Sequence, residues 1–436
     1  MLTAITNSGA VLAVPSIAEE FPASAVQLSW IPTIFVMTNV ILILPFGRLA
    51  DRIGLKRIYL AGIVTFSVAS FVATLGDSMA WVIAMRGCQA VGTAMMQACG
   101  MAIVGSVFAD QQRGTAVGIA ASCLYFGLSV GPLLGGELTD AFGWRSVFYF
   151  PMVFAGLVCG VIVLRLRGEW RSDEPLTFDW LGLLLFATTI VCIMIGVSSL
   201  PAGGRVGLIA VGVVTGIAFV RSQWVRPNPM LRIRAIVDNR VFRQAVMAQM
   251  AMYCAIYAVI YLMSLYLQYI KAVGAGEAGR ILIFQALLMA VTAPLAGRAA
   301  DRFSARILST AGSLLAALGY FGLCWIGDDT AFGFIMLCLS LIGVGMGLFS
   351  TPNYKAALAA VPSDRLASAT AVMNSARNLG NIAGMAIVLS LIALMVGGEA
   401  IAPPSYARFL IAVQCAFAVS CASALWAAWI GSRRVD

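Results

Sequence analysis

Arg86 is followed three residues later by Gln89 within AMRGCQAVG, so a permanent cation and an amide share one face of any helix formed there. Gln249, Tyr253, Tyr257 and Tyr261 recur at spacings of four, aligning an amide and three phenols along one helical stripe. Asn374, Arg377, Asn378 and Asn381 form a second polar stripe. These groups are suited to holding a molecule rather than transforming it. A guanidinium grips an anionic group, and a phenol offers an aromatic face with one hydroxyl, which fits an amphipathic organic ligand. The tools of catalysis are missing. Histidine is absent, no Asp and Glu cluster has catalytic spacing, and no nucleotide-binding P-loop occurs. An enzyme is not expected, nor is a metal site or a cofactor.

The elements that position these residues are long apolar runs. Of 436 residues, 61% are hydrophobic and 11% charged, against about 45–50% and about 25% in soluble domains. No polar stretch is long enough to fold alone, which excludes a soluble enzyme domain. Runs of roughly 20 residues, each able to cross a bilayer, fall at 1–18, 27–47, 58–76, 79–108, 114–136, 145–165, 180–199, 205–224, 242–270, 279–297, 306–326, 331–351, 367–396 and 407–431. This predicts an all-α integral membrane protein of about fourteen spans. With the N-terminus cytoplasmic, most of the 28 Lys and Arg lie in inner loops, including Arg48, Arg52, Lys56, Arg57, Arg226, Arg232, Arg298 and Arg302. That asymmetry is the positive-inside bias. The net charge of +9 therefore reports topology rather than a nucleic-acid partner. The expected setting is the cytoplasmic membrane, with both termini inside and lipid as the surrounding partner. No charged region precedes the first apolar run, so that run is read as a span and not a cleaved signal. All ten Cys lie in expected spans and read as small packing residues.

One loop occurs twice. Gly47, Arg48, Ala50, Asp51, Arg52, Ala61 and Gly62 return 250 residues later as Gly297, Arg298, Ala300, Asp301, Arg302, Ala311 and Gly312. Each copy separates two apolar runs, so the chain reads as a duplicated helical bundle, a common plan of secondary transporters. The expected domains are a six-helix bundle at 1–166, a connector with two extra spans at 167–241, and a second six-helix bundle at 242–436.

At these residues the chain resembles the major facilitator superfamily, and specifically its fourteen-span drug:proton antiporter branch. The loop Gly47–Arg57 is similar to the family's cytoplasmic latch, which implies that Asp51 faces a helix N-terminus while Arg48, Arg52 and Arg57 clamp neighbouring ends. Glycine at Gly47 would let helices approach closely. Arg86 through Gly92 resembles the family's RxxQGxG, with Ala90 at its second glycine. An arginine there either faces a cavity or partner, or snorkels to the nearer interface. GLSVGPLLGG at 127–136 matches the antiporter motif. Gly127, Gly131 and Gly135 line one helix face beside Gly136, and Pro132 bends that helix. Gly380 and Gly384 resemble a small-residue packing face.

Span one departs from the family, since Thr6 stands where it places an acid before Pro15. All nineteen Asp and Glu fall in loops or at span ends, and the deep charges are Arg86 and Arg377. Glu137 and Asp140 are the nearest candidates for a coupling acid. Two deep cations without a deep anion favour anionic or zwitterionic cargo. The resemblance thus implies a monomeric secondary transporter that exports a small amphipathic organic compound by alternating access and proton antiport. The alternatives are a non-transporting sensor or scaffold on the same fold, and an uncoupled facilitator. Arg86, Gln89, Gln249, Tyr253, Tyr257, Tyr261, Asn374 and Arg377 are the expected cavity residues.

Overall fold

A bilayer offers no water to backbone amides, so each apolar run must satisfy its own hydrogen bonds as a helix. The computed structural model describes residues 2–107, 123, 127, 130–166, 168–170, 179–198, 206–226, 239–300, 302–361, 366–397 and 401–434, and among them there is no strand. The first helices are α1 (Leu2–Leu12), α2 (Val14–Glu20), α3 (Ala25–Ile53), α4 (Leu55–Thr74) and α5 (Met79–Val107). Residues 130–142 form α6. Then come α7 (Ser146–Arg165), α8 (Trp180–Ser198), α9 (Val206–Val225), α10 (Arg240–Leu265) and α11 (Ala275–Ala299). The last four are α12 (Ala305–Leu323), α13 (Phe332–Ala359), α14 (Leu366–Met395) and α15 (Tyr406–Ser432).

Among the described residues, twelve helices are long and apolar enough to span a membrane. The two other expected spans account for the difference from fourteen. The run at 1–18 is interrupted at Ala13, with Pro15 in the first turn of α2, so neither piece alone reaches spanning length. The run at 114–136 falls mostly outside the described residues.

By internal packing the chain divides into two compact units. One comprises Met1–Ala23, Gln27–Val191 and Gly274–Gly279; the other comprises Ser24–Val26, Cys192–Val273 and Arg280–Asp436. In the first, α4 crosses α5 and α7, with Ile63, Phe66, Met96 and Ala155 buried together. In the second, α12 packs on α13 and α15, and α10 packs on α14 and α15. The α8–α9 pair meets at Gly196, where an added Cβ would lie 2.6 Å from Ile209. Its outer face keeps Leu184, Val214 and Ile217 exposed, as a lipid-facing surface requires.

The repeated sequence has a repeated structural consequence. A Cβ on Gly92 of α5 would sit 2.5 Å from the Gly62 carbonyl oxygen and 2.6 Å from the Phe66 nitrogen. In the second unit, a Cβ on Gly312 would sit 2.6 Å from the Gly345 oxygen and 2.6 Å from the Phe349 nitrogen. Gly62 and Gly312, one repeat apart, each let two backbones touch.

The repeated loop differs from expectation. Helix α3 continues through Gly47 and Arg52 to Ile53, leaving only Gly54, at φ 122°, before α4. Gly47 meets nothing within 4 Å of an added Cβ, so close approach is not its role; Gly54 is the residue pressed against a neighbour, Glu169. In the second copy, Ser304 caps α12 through the Arg306 amide, whereas a glycine turned the chain at Gly54.

Gly92→Val and Gly345→Val should each cost about 1–3 kcal/mol by overpacking. Purified protein should show a lower thermal midpoint for both, while Gly156→Val, which faces open space, should leave it unchanged.

Candidate functional site

The first-unit cluster begins at Arg86, fully buried on α5. Its Nη1 donates to Gln89 Oε1 at 2.9 Å, and Gln89 Nε2 donates to Ser70 Oγ at 2.7 Å. Ser70 Oγ in turn donates to the Phe66 carbonyl at 2.7 Å. The guanidinium lies 4.4 Å from the ring centre of Phe35 on α3, a cation–π contact. Three helices thus hold one desolvated cation in a fixed orientation. It does not reach for an interface.

The second-unit cluster joins α10, α13 and Arg434, two residues beyond α15. Gln249 Oε1 accepts from Asn353 Nδ2 at 3.1 Å, and the same Nδ2 reaches the Ala245 carbonyl at 3.2 Å. Arg434 Nη2 donates to Asn353 Oδ1. Asn353 is fully buried and Gln249 nearly so. Sequence reading marked Gln249 but missed Asn353 and Arg434. No local pattern joins partners so far apart in the chain.

Other expected cavity residues are spread out. Tyr253 is half-buried beside α14, where a Cβ on Gly380 would come within 3.1 Å of its Cβ. Tyr261 is buried within the second unit, Asn374 is exposed and Arg377 is half-buried. The Tyr257 side chain lies outside the described residues.

At the latch loop, an acid does meet a helix N-terminus, but it is Glu169 of the connector. Glu169 Oε1 accepts the Lys56 amide at 2.9 Å, while Oε2 lies 3.7 Å from Arg57 Nε. The Trp170 carbonyl accepts the Leu55 amide at 2.9 Å, and Lys56 Nζ donates to the Leu166 carbonyl at 2.6 Å. Leu166, Glu169 and Trp170 thus satisfy donors that the start of α4 would otherwise leave open. The side chains of Arg48 and Asp51, and residue Asp301, lie outside the described residues; Arg52, Arg298 and Arg302 are exposed and Gly297 is half-buried.

The antiporter-motif glycines pack on both sides of α6. A Cβ on Gly9 of α1 would lie 3.1 Å from the Gly131 oxygen and 3.2 Å from Gly135 Cα. A Cβ on Gly136 would overlap the Ala275 carbonyl, and one on Gly279 would come 2.5 Å from the Pro132 oxygen. Gly127 is buried, but the motif residues between it and 130 lie outside the described set. Of the two coupling candidates, Glu137 is exposed. Asp140 caps α11, accepting the Ala275 amide at 3.1 Å and the Gly276 amide at 2.7 Å.

Glu20, expected to be an ordinary loop carboxylate, is clasped. Arg145 donates Nη1 and Nη2 to its two oxygens at 2.7 and 2.6 Å, and Trp144 Nε1 donates at 2.8 Å. The Arg145 hydrogen bonds, then that from Trp144, hold the Glu20 carboxyl below its usual range. A depressed folded-state pKa stabilises above the unfolded value and is lost as pH falls through the folded one. The stability gap between wild type and Glu20→Gln should therefore be constant from neutral pH down to the ordinary carboxylate range and close below it. A gap that widens on acidification would show the sign to be wrong.

Comparison with known proteins follows the same lines. A family model described as Major Facilitator Superfamily matches residues 1–385. The riboflavin transporter RibZ of Clostridioides difficile is 28% identical over 392 residues, covering 89% of this chain and 85% of RibZ. The multidrug efflux pump LfrA of Mycolicibacterium smegmatis is 28% identical, covering 88% of this chain and 77% of LfrA. Among solved structures, an inward-facing, unoccupied bacterial homolog of the human lysosomal transporter Spinster superposes with TM-score 0.69 at 16% identity, covering 99% of this chain and 93% of that one. The peptide transporter POT in complex with sulfate gives TM-score 0.70 at 15% identity, covering 99% and 94%. At these identities the structural likeness speaks for fold alone.

Proposed function

Since the chain belongs to the Major Facilitator Superfamily, and so is an integral-membrane secondary transporter and not an enzyme, we propose that it exports a small amphipathic organic compound, anionic or zwitterionic, by alternating access coupled to proton antiport. The observation that carries the cargo class is Arg86. It is fully buried, oriented by Gln89 and Ser70, and stacked on Phe35. A cation so held would attract an anionic group, and the aromatic face beside it suits an organic body. Relatives named for riboflavin transport and for multidrug efflux are consistent with cargo of that size and kind. The matched glycine crossings Gly62–Gly92 and Gly312–Gly345 support two related bundles, with α8 and α9 as an inserted pair. The proposed setting is the cytoplasmic membrane, with the protein working as a monomer and both termini inside.

Reconstituted liposomes test the reading. Under an imposed pH gradient, the wild type should move anionic or zwitterionic aromatic compounds, riboflavin included, better than cationic dyes of similar size. Arg86→Gln should lower that flux about tenfold or more, as expected when a charged hydrogen-bonding partner is removed, while membrane insertion is kept. Wild-type flux in Arg86→Gln would remove Arg86 from the cargo site. No flux of any compound would favour a sensor or scaffold, and flux indifferent to the gradient would favour a facilitator.

Coupling is tested separately. Asp140 is occupied as a helix cap, and Glu20 is bound by Arg145 and Trp144. Glu137→Gln should therefore impair pH-driven flux more than Glu19→Gln does. Equal rates in the two mutants would leave Glu137 an ordinary surface carboxylate.

A further inference from the structure

Arg434 stands two residues beyond the last turn of α15, yet it is only 2% exposed. Its Nη2 is used twice, donating to Asn353 Oδ1 and, at 3.3 Å, to the Gln244 carbonyl. Nε and Nη1 are buried and meet no acceptor among the described residues. Burial pushes the guanidinium pKa down to about 10, so the group is still a cation at neutral pH. A charge taken out of water with two open donors is a costly arrangement unless an anion completes it.

Further basic residues stand next to it in the chain and at the start of α10. Arg240 and Arg243 lie in the first turn of α10, and the Arg433 guanidinium stacks 4.0 Å over Trp429. Gln244 Nε2 donates to the Arg433 carbonyl at 3.4 Å, and Gln244 Oε1 is buried without a partner. A neutral amide can accept a hydrogen bond from Arg434 but cannot neutralise it. An oxyanion can do both, and a phosphate, with several acceptor oxygens and more than one charge, is a class of anion that a guanidinium binds well.

We propose that Arg434, held by the Asn353 side-chain oxygen and the Gln244 carbonyl, is the anion-binding group of an oxyanion site of the phosphate class where α10, α13 and the end of α15 meet. The site does not depend on what the protein transports. Its occupant is a phospholipid headgroup phosphate or a soluble phosphate, and the two sources are separable by experiment.

The full chain, purified in neutral detergent, is titrated with inorganic phosphate against chloride at matched ionic strength. In parallel it is placed in lipid discs of phosphatidylcholine alone or mixed with phosphatidylglycerol. Thermal midpoint and hydrogen exchange at 244–249 are read in both arms. Wild-type protein should gain stability and protection, and Arg434→Gln should weaken the response about tenfold or more. Arg433→Gln, which removes a neighbouring charge stacked on Trp429, should retain it. A response to inorganic phosphate assigns a soluble oxyanion; a response to phosphatidylglycerol alone assigns the headgroup. No response of the wild type to either probe overturns the site. So does an undiminished response in Arg434→Gln, or an equal loss in Arg433→Gln, which would mark a diffuse basic patch. If Arg434→Gln does not fold, the wild-type protection at 244–249 decides alone.

Discussion

In hydrocarbon, a leucine gains little by leaving lipid for another leucine, so helices associate where their backbones can come close. The rest of this structure hangs on that constraint. Gly62 meets Gly92, Gly312 meets Gly345, Gly9 meets Gly135, and Gly380 with Gly384 lets α14 lie against α10. Each contact sets the separation of two helices, and that separation decides which polar side chains can reach across. Ser70 can hold Gln89, and through it Arg86, because α4 and α5 are already in backbone contact at Gly62 and Gly92. Asn353 reaches Gln249 and Ala245 where Ala245, Ala357, Ala369 and Ala376 bring small side chains into the core.

The described carboxylates follow a second rule. Glu169 accepts an amide at the start of α4, Asp140 accepts two at the start of α11, and Asp179 Oδ1 accepts the Gly182 amide at 2.8 Å at the start of α8. Acids gather where a helix presents unsatisfied N–H groups and the positive end of its dipole. Glu20 does equivalent work against a side chain, gripping Arg145 and Trp144. Buried cations obey a different logic. Arg86 is held by an amide and an aromatic face, and Arg434 by an amide and a carbonyl.

Much of this was legible from sequence because it depends on local pattern. Run length foretold the helices, and the 250-residue echo singled out Gly62 and Gly312 as counterparts before their shared packing was visible. Spacing also marked Arg86 with Gln89, an i,i+3 pair whose hydrogen bond needs only a helix to form. The rest was hidden for physical reasons. Gly54, not Gly47, turns the chain, because the first charged copy is helical and the glycine that follows it takes a positive φ. Glu169 read as one acid in a polar connector, since its partners Lys56 and Arg57 lie over a hundred residues earlier. Asn353 and Arg434 escaped for the same reason. Tyr261 belonged to a convincing stripe, yet a helix packed on two neighbours buries more than one face, and spacing cannot say which face is wet.

These rules bear together on how a proton could be coupled to cargo in the proposed antiport. A mid-membrane acid would change charge beside the substrate, and its proton would enter the binding energy directly. Here Asp140, Asp179 and Glu169 sit at helix starts, where their charge is matched to amide groups and dipoles. An acid used this way is committed to holding a helix end rather than to carrying a proton beside the cargo. Asp140 shows the consequence most clearly, because it holds the first turn of α11 beside the Gly136–Ala275 and Pro132–Gly279 backbone contacts. Those contacts have no slack to absorb a shift, since added Cβ atoms there would already overlap. Asp140 is thus a fixed joint between α6 and α11, which leaves the exposed Glu137 as the acid to test for coupling.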